Sequence, residues 1–222
     1  MNILAFTPIA VTPGELARRQ QRYDQLTPQG IAIRLETLGE GSEVPRQLEC
    51  PEDIHASEQA LLDQYHHADL NEVDAVMPDC VLDPTVDDPR ADLPVPVLGI
   101  LKLTGHALSG FGLNVSALAR NEAIASELGR KYTSYDFQSS LSAVHVLGLT
   151  VEDIAETQVW NAAVDRRLKE AEADVVINGC SAVEASRPGP GPALVDPTAL
   201  ALKHLALVEQ STRVFSGRTR RA

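Results

Sequence analysis

The stretch Asp174–Glu184, DVVINGCSAVE, decides how the rest of the chain is read. Val175, Val176 and Ile177 form an apolar run, Asn178-Gly179 follow as turn formers, and Cys180 leads into the small residues Ser181 and Ala182. Such a run bounded by turn signals reads as a buried strand of a parallel sheet, then a tight turn that needs glycine, then a helix start. Ligands of open α/β sheets bind beyond the carboxyl ends of strands, which is where this cysteine falls. An earlier stretch repeats the pattern: Asp74–Cys80, DAVMPDC, is again Asp, three apolar residues, two turn formers and Cys. Each copy is followed by a short apolar run opened by proline, at Pro94–Leu98 and at Pro192–Val195. Two halves that each offer one thiol at the same point predict a pseudo-symmetric pair of cysteines facing one site.

Outward from these strands, apolar runs alternate with helical patterns. Strands are expected at Asn2–Phe6, Ile31–Leu38, Asp74–Asp79, Val95–Ile100, Leu113–Leu118, Ala143–Leu147, Val175–Ile177 and Ala193–Val195. Helices are expected from Pro13 to about Arg22, and over Ser57–Leu70, Leu101–Ser109, Glu122–Tyr132 and Thr198–Gln210. One long amphipathic helix is expected over Val151–Ala173. Gly39–Glu49 and Ser186–Pro192 read as loops. The alternation predicts an α/β fold, a doubly wound parallel sheet in two copies. The first lobe is expected to span residues 1–100 plus a C-terminal helix over 198–215, the second residues 101–197. The basic tail 216–222 is expected to be a frayed, disordered end.

Composition narrows the function. A chain of 222 residues can bury a large core as one domain or two lobes, and 44% hydrophobic with 23% charged residues is ordinary for a globular protein. A net charge of −12 argues against nucleic acid, whose phosphates need a clustered basic face. No apolar run reaches the roughly 18 residues a membrane span needs. The N-terminus reads as a first strand, not a signal peptide, and three cysteines without an export signal suit reduced thiols in the cytoplasm. A small-molecule substrate is the expected partner, with homo-oligomerisation left open.

The thiols carry the chemistry. A cysteine at a helix N-terminus is held toward thiolate, and the same amides favour an anionic substrate. Two cysteines on opposite sides of one carbon can invert it: one thiolate removes a proton next to a carbonyl and the opposing thiol returns one to the other face, without a cofactor. A single buried cysteine is more often just a small apolar residue; two at matching points of a repeat are not well explained that way. Cys50 lies outside the repeat and reads as structural. His55, His66, His67 and Asp69 resemble a metal cluster only in composition, since adjacent helical histidines diverge, so no metal is expected. Gly110-Phe111-Gly112 is not a dinucleotide fingerprint, no nucleophile elbow or phosphate-binding loop occurs, and Lys102 reads as a surface lysine.

Taken in order, these motifs resemble the aspartate/glutamate/hydantoin racemase superfamily, and its hydantoin or allantoin racemase branch most closely. The residues that carry the resemblance are Asp79-Cys80-Val81-Leu82-Asp83-Pro84, Pro96–Ile100, Gly179-Cys180-Ser181-Ala182 and Val195-Asp196-Pro197. The resemblance covers nearly the whole chain. It implies two pseudo-symmetric Rossmann-like lobes with parallel sheets, the active site in the cleft between them, and cofactor-free proton transfer by Cys80 and Cys180 in a racemase or epimerase. The substrate would be a small carboxylate, an amino-acid derivative or a hydantoin-like cyclic amide. Thr7, Pro8, Val81, Leu82, Asp83, Ser116, Ser181 and Ala182 are the substrate-binding residues it implies. The branch's Asn-Pro-Asn is Thr7-Pro8-Ile9 here, its Gly after Asp-Pro is Thr85, its Glu is Lys102, and its threonines are Ser116 and Ala117, while its Arg is kept as Arg120. Rivals within the fold are a maleate isomerase-like enzyme and an arylmalonate decarboxylase-like enzyme. A non-catalytic binding protein is the rival outside enzymes, although a binding pocket needs no pair of thiols.

Overall fold

The computed structural model describes residues 1–38, 44–137, 141–183 and 191–215. The loop expected over Gly39–Glu49 lies partly outside these residues, as does the Ser186–Pro192 loop; the tail 216–222 lies wholly outside them.

Two parallel sheets form. The first is ordered β2-β1-β3, from Asn2–Phe6 (β1), Ala32–Glu36 (β2) and Ala75–Pro78 (β3). The second is ordered β5-β4-β6-β7, from Val115–Ala119 (β4), Leu141–Val146 (β5), Val175–Asn178 (β6) and Ala193–Val195 (β7). In each sheet the first strand in sequence is flanked by the second and third, the doubly wound order that opens a crevice at the reversal. The repeat extends to single hydrogen bonds. Asp74 accepts the Asn2 N–H at 2.7 Å, and Asp174 accepts the Asn114 N–H at 2.9 Å. The side-chain amide of Asn2 donates to the Glu72 carbonyl, and that of Asn114 to the Glu172 carbonyl. Each pair pins the start of the cysteine-bearing strand beside the central strand of its sheet, so the two cysteines leave equivalent strands.

Helices cover the sheets, as parallel strands buried on both faces require. They are α1 (Pro13–Leu26), α2 (Pro51–His67), α3 (Ile100–Ser109), α4 (Glu122–Ser134), α5 (Val151–Ala155), α6 (Thr157–Glu170) and α7 (Pro197–Thr212). Leu202 and Leu205 of α7 bury against Ile3, Ala5 and Ile100, while Trp160, Val164 and Leu168 of α6 cover Leu118 and Val176. Cys80, Val81 and Leu82 share a core with Leu101, Val115, Ala117, Leu128 and Ile177, so the first cysteine loop packs onto the second sheet.

Four expectations need correction. The strand expected over Val95–Ile100 is a single parallel bridge between Val76 and Val97, because Pro94 and Pro96 have no N–H to give a ladder. The helix expected over Val151–Ala173 is broken at Glu156, whose backbone is extended, so α5 and α6 point differently. No helix follows Cys80: Asp83, Thr85 and Asp87 all adopt left-handed backbone (φ 49°, 67° and 60°), which an L-residue helix cannot accommodate. The segment makes successive turns instead, Asp83 to Cys80 and Val86 to Asp83. Thr85 thus holds a conformation that favours glycine, at the position where the branch carries one. After Cys180, Ser181 and Ala182 also sit in a turn. The α2 helix begins earlier than expected, with Cys50 as its N-cap residue and Asp53 accepting the Glu49 and Cys50 N–H groups.

Candidate active site

The carboxyl ends of β1, β3, β4 and β6 converge on one cavity of about 100 Å³. Pro8 and Ile9 enter it after β1, Cys80 to Leu82 after β3, Arg120 after β4, and Gly179 to Ala182 after β6. Both cysteines line it, and neither is in a disulfide. The Ser181 hydroxyl donates to the Asp79 carbonyl at 3.1 Å, joining the two cysteine loops directly. Leu48, Ile124, Val151 and Ile154 complete apolar walls. A larger hollow of about 780 Å³ lies on the outer face of α2, lined by Glu52, His55, Asp63 and His67. No thiol is among the described residues that line it, so the reactive groups point to the smaller cavity.

Of the residues expected at the site, the structure brings together Cys80, Cys180, Pro8, Val81, Leu82, Ser181 and Ala182. Thr7, Asp83 and Ser116 are not in the lining. Thr7 is fully buried and donates its hydroxyl to the Ile9 carbonyl. Ser116 is buried on β4, its hydroxyl without a hydrogen-bond partner among the described residues. Asp83 caps α3: its carboxylate accepts the Leu101 and Lys102 N–H groups at 2.9 and 2.7 Å and the Tyr135 hydroxyl at 3.0 Å. Burial pushes its carboxyl up to about 6 despite those donors and the nearby Lys131. A Cβ on Gly99 would sit 2.3 Å from that carboxylate, so the cap needs glycine there by proximity. Lys102, read as a surface lysine, pairs with Asp87 across the ring of Tyr135.

Sequence reasoning missed the guanidinium of Arg19. It lines the cavity, nearly buried, with Nε on Glu15 at 2.7 Å and Nη1 on Asp79 at 2.8 Å. The Tyr23 hydroxyl donates to the other Asp79 oxygen at 2.7 Å. Burial raises the Glu15 carboxyl, but hydrogen bonds from Arg18 and Arg19 outweigh it and hold the group at about 2. A signal was present: Glu15 and Arg19 stand four apart on a helix, beside Arg18 and Arg22, in a chain with few cations. Arg120 donates to the Leu48 and Leu149 carbonyls and pairs with Glu49. Leu48, Val151 and Ile154 had no signal: Leu48 precedes α2, the other two lie on α5, and only the packed fold brings them to one cavity.

Among the described residues no helix begins directly after either thiol; each is faced by one amide from its own loop. The Leu82 N–H donates to Cys80 and the Ala182 N–H to Cys180, leaving two fewer amides for a ligand than the sequence suggested. Burial outweighs these donors. It pushes Cys80 up to about 12, with Asp79 and Asp83 adding to the rise. Cys180 is also raised by burial, but the Ala182 N–H, Arg19 and Arg120 pull against it.

A model of the family described as Asp/Glu/hydantoin racemase matches residues 25–205. The chain belongs to that family. It is an isomerase of the racemase class. No curated protein matches its sequence. Among solved structures it is similar to allantoin racemase from Pseudomonas fluorescens, with 16% identity, 100% of this chain and 98% of the other covered, and a TM-score of 0.77. For allantoin racemase from Klebsiella pneumoniae the figures are 16%, 95%, 88% and 0.76. For glutamate racemase from Thermus thermophilus in complex with β-chloro-D-alanine they are 19%, 96%, 82% and 0.62. At these identities the likeness establishes the racemase fold of two lobes. Among the described residues no helix is long and apolar enough to cross a membrane.

For this racemase the raised thiols make a direct expectation. A group titrating at about 12 gains thiolate tenfold per pH unit below that value, so alkylation of Cys80 by iodoacetamide should climb tenfold per unit between pH 7 and 10. At pH 8 it should run about 10³-fold slower than an unhindered thiol of ordinary acidity. A plateau near pH 9 in peptide-resolved mass spectrometry would show that burial does not dominate this thiol.

Proposed function

We propose that the chain is a cofactor-independent racemase in which Cys80 and Cys180 transfer protons on opposite faces of one carbon next to a carbonyl. One observation carries this: two free thiols, on equivalent strands of two equivalent sheets, line the same small cavity. One thiolate removes the α-proton, the carbonyl oxygen takes up the negative charge, and the opposing thiol protonates the other face. The N–H groups of Val81 and Ser181 are the donors proposed for that oxygen, since the Leu82 and Ala182 amides already face sulfur. A thiol raised to about 12 ionises poorly in an empty site. The working thiolate forms when bound substrate brings its own polar groups beside the sulfur. The three free cysteines suit a reducing compartment, the cytoplasm.

The charge pattern selects among substrates. Arg19 is neutralised by Glu15 and Asp79, and Arg120 is paired with Glu49. A carboxylate entering the cavity would find no unpaired cation among the described residues, and desolvating it without one is costly. An uncharged cyclic amide carries its own donors and acceptors and tolerates the walls of Ile9, Leu48, Ile124 and Ile154. Pockets for drug-sized ligands run roughly 300–1,000 Å³; a cavity of about 100 Å³ suits one small ring. We therefore favour a hydantoin-like ring with a small aliphatic substituent, in keeping with neighbours described as allantoin racemases. Proton NMR in D2O over both enantiomers of 5-methylhydantoin, allantoin, alanine, aspartate and glutamate tests this. The α-proton of the cyclic amides should exchange with inversion, and that of the dicarboxylates should not. Exchange confined to the dicarboxylates would overturn the substrate assignment, and exchange of none would overturn the racemase reading.

A further inference from the structure

Helix α1 turns one face of arginines toward the loop that carries Cys180. The Arg18 Nη2 donates to the Ala182 carbonyl at 2.9 Å. The Arg22 Nε donates to the Ser181 carbonyl at 3.2 Å, and its Nη2 holds Asp196 at 2.6 Å, the residue that caps α7. The Ser181 carbonyl and the Ala182 N–H belong to one peptide unit. A trans peptide is planar with its C=O and N–H antiparallel, so fixing one end aims the other. The aimed end is the N–H that donates to the Cys180 sulfur.

We propose that Arg22 is a positioning residue for Cys180, acting through the Ser181–Ala182 peptide to direct and polarise the N–H that holds the sulfur. The proposal rests on the two-thiol reading for its meaning in catalysis, but its physical content does not need turnover. A guanidinium on the carbonyl draws electron density from the amide and strengthens the opposite N–H as a donor, the cooperative effect expected of linked hydrogen bonds in a low-dielectric site. The planar fork of arginine suits this task because it reaches the carbonyl and the Asp196 carboxylate at once, which an ammonium cannot. No equivalent cation holds the Val81 carbonyl among the described residues, so the two thiols, alike in strand position, differ in support. The other charged groups around Cys180 are Arg18, Arg19, Arg120 and Asp79, with the Cys80 thiol across the cavity.

The test is the pH profile of iodoacetamide alkylation, resolved by peptide for Cys180, Cys80 and Cys50 in the full chain. In Arg22→Met, Cys180 should react about tenfold more slowly at pH 8, with its profile moved to higher pH, the change expected when a charge-assisted hydrogen bond is lost. Cys80 and Cys50 should be unchanged. Arg22→Lys keeps a charge for Asp196 but not both contacts, and should slow Cys180 as well; it also serves should the methionine variant fail to fold. An unchanged Cys180 profile would overturn the proposal. So would a shift shared by Cys80, which marks general loosening, or a wild-type profile in Arg22→Lys, which assigns the effect to the Asp196 pair alone. Because alkylation needs no substrate, a selective Cys180 shift in a chain that exchanges no α-proton would overturn the racemase reading and leave this one standing.

Discussion

Racemisation by Cys180→Ser should fall by roughly 10²–10⁴-fold, the contribution of a positioned acid or base, while the α-proton of one enantiomer still exchanges through Cys80. Serine keeps the shape of the side chain but offers a hydroxyl that barely ionises at neutral pH, so the step from one face is lost and the step from the other survives. Cys80→Ser should show the mirrored preference. The two variants should not be equal. Asp79 opposes both thiolates, but Arg19 and Arg120 favour that of Cys180, whereas Asp83 further opposes that of Cys80. The exchange left in Cys80→Ser, where Cys180 remains, should therefore exceed that left in Cys180→Ser. Proton NMR in D2O on each pure enantiomer reads both numbers. Near-full racemisation by either variant would end the two-thiol account. A covalent adduct on one thiol, with no solvent deuterium in the product, would favour a maleate isomerase-like reaction.

Gly179→Ala should be the most damaging glycine-to-alanine change among the described residues. Its Cβ would lie 1.9 Å from the Leu118 carbonyl oxygen, 3.0 Å from the carbonyl carbon and 3.3 Å from the Leu128 side chain. The Leu118 backbone belongs to β4, registered against Asn178 of β6, so it cannot yield without opening the sheet. The backbone at Gly179 is not left-handed, so the demand is for space and not for conformational freedom. Overpacking of this kind costs about 3 kcal/mol or more, and for a chain of this size that lowers the melting temperature by roughly 6–12 °C. Racemisation should fall with it, since Gly179 sets the exit of Cys180 from β6. Gly110→Ala is the control: a Cβ there meets nothing within 4 Å on an ordinary right-handed backbone, and stability should stay within roughly 0.5 kcal/mol of wild type. Equal thermal denaturation of the two variants would remove the close approach as a constraint.

Much of the fold was legible because its signals are local. The runs at Val175–Ile177 and Ala75–Pro78 are apolar throughout, as strands covered on both faces must be, and the polar turn formers after them mark where the chain leaves the sheet. The repeat of Asp, apolar run and Cys placed both thiols at equivalent strand ends before any coordinates, and the cavity they share follows from that. Element boundaries were less legible where a local preference competes with a second one. The helical pattern runs on through Glu156, yet the backbone there is extended, ending α5 after Ala155, and α5 supplies Ile154 to the cavity wall. The turns after Cys80 replace the expected helix because Asp83 bends back to cap α3, a partner 18 positions on that no periodicity reveals.

By itself the sequence determined the α/β class, the doubled unit and the pair of cysteines, since each follows from residue types within a few positions of one another. Tertiary structure alone decided the state of those cysteines and the charge of their surroundings. Arg19 meets Asp79 only because α1 packs across the first sheet, and Arg22 meets the Ser181 carbonyl only because that helix also reaches the second. A thiol's acidity depends on how much water the fold removes and on which charges it leaves nearby. Those are properties of the packed whole, set by contacts between residues as far apart as Arg22 and Ser181, and no stretch of the chain holds them.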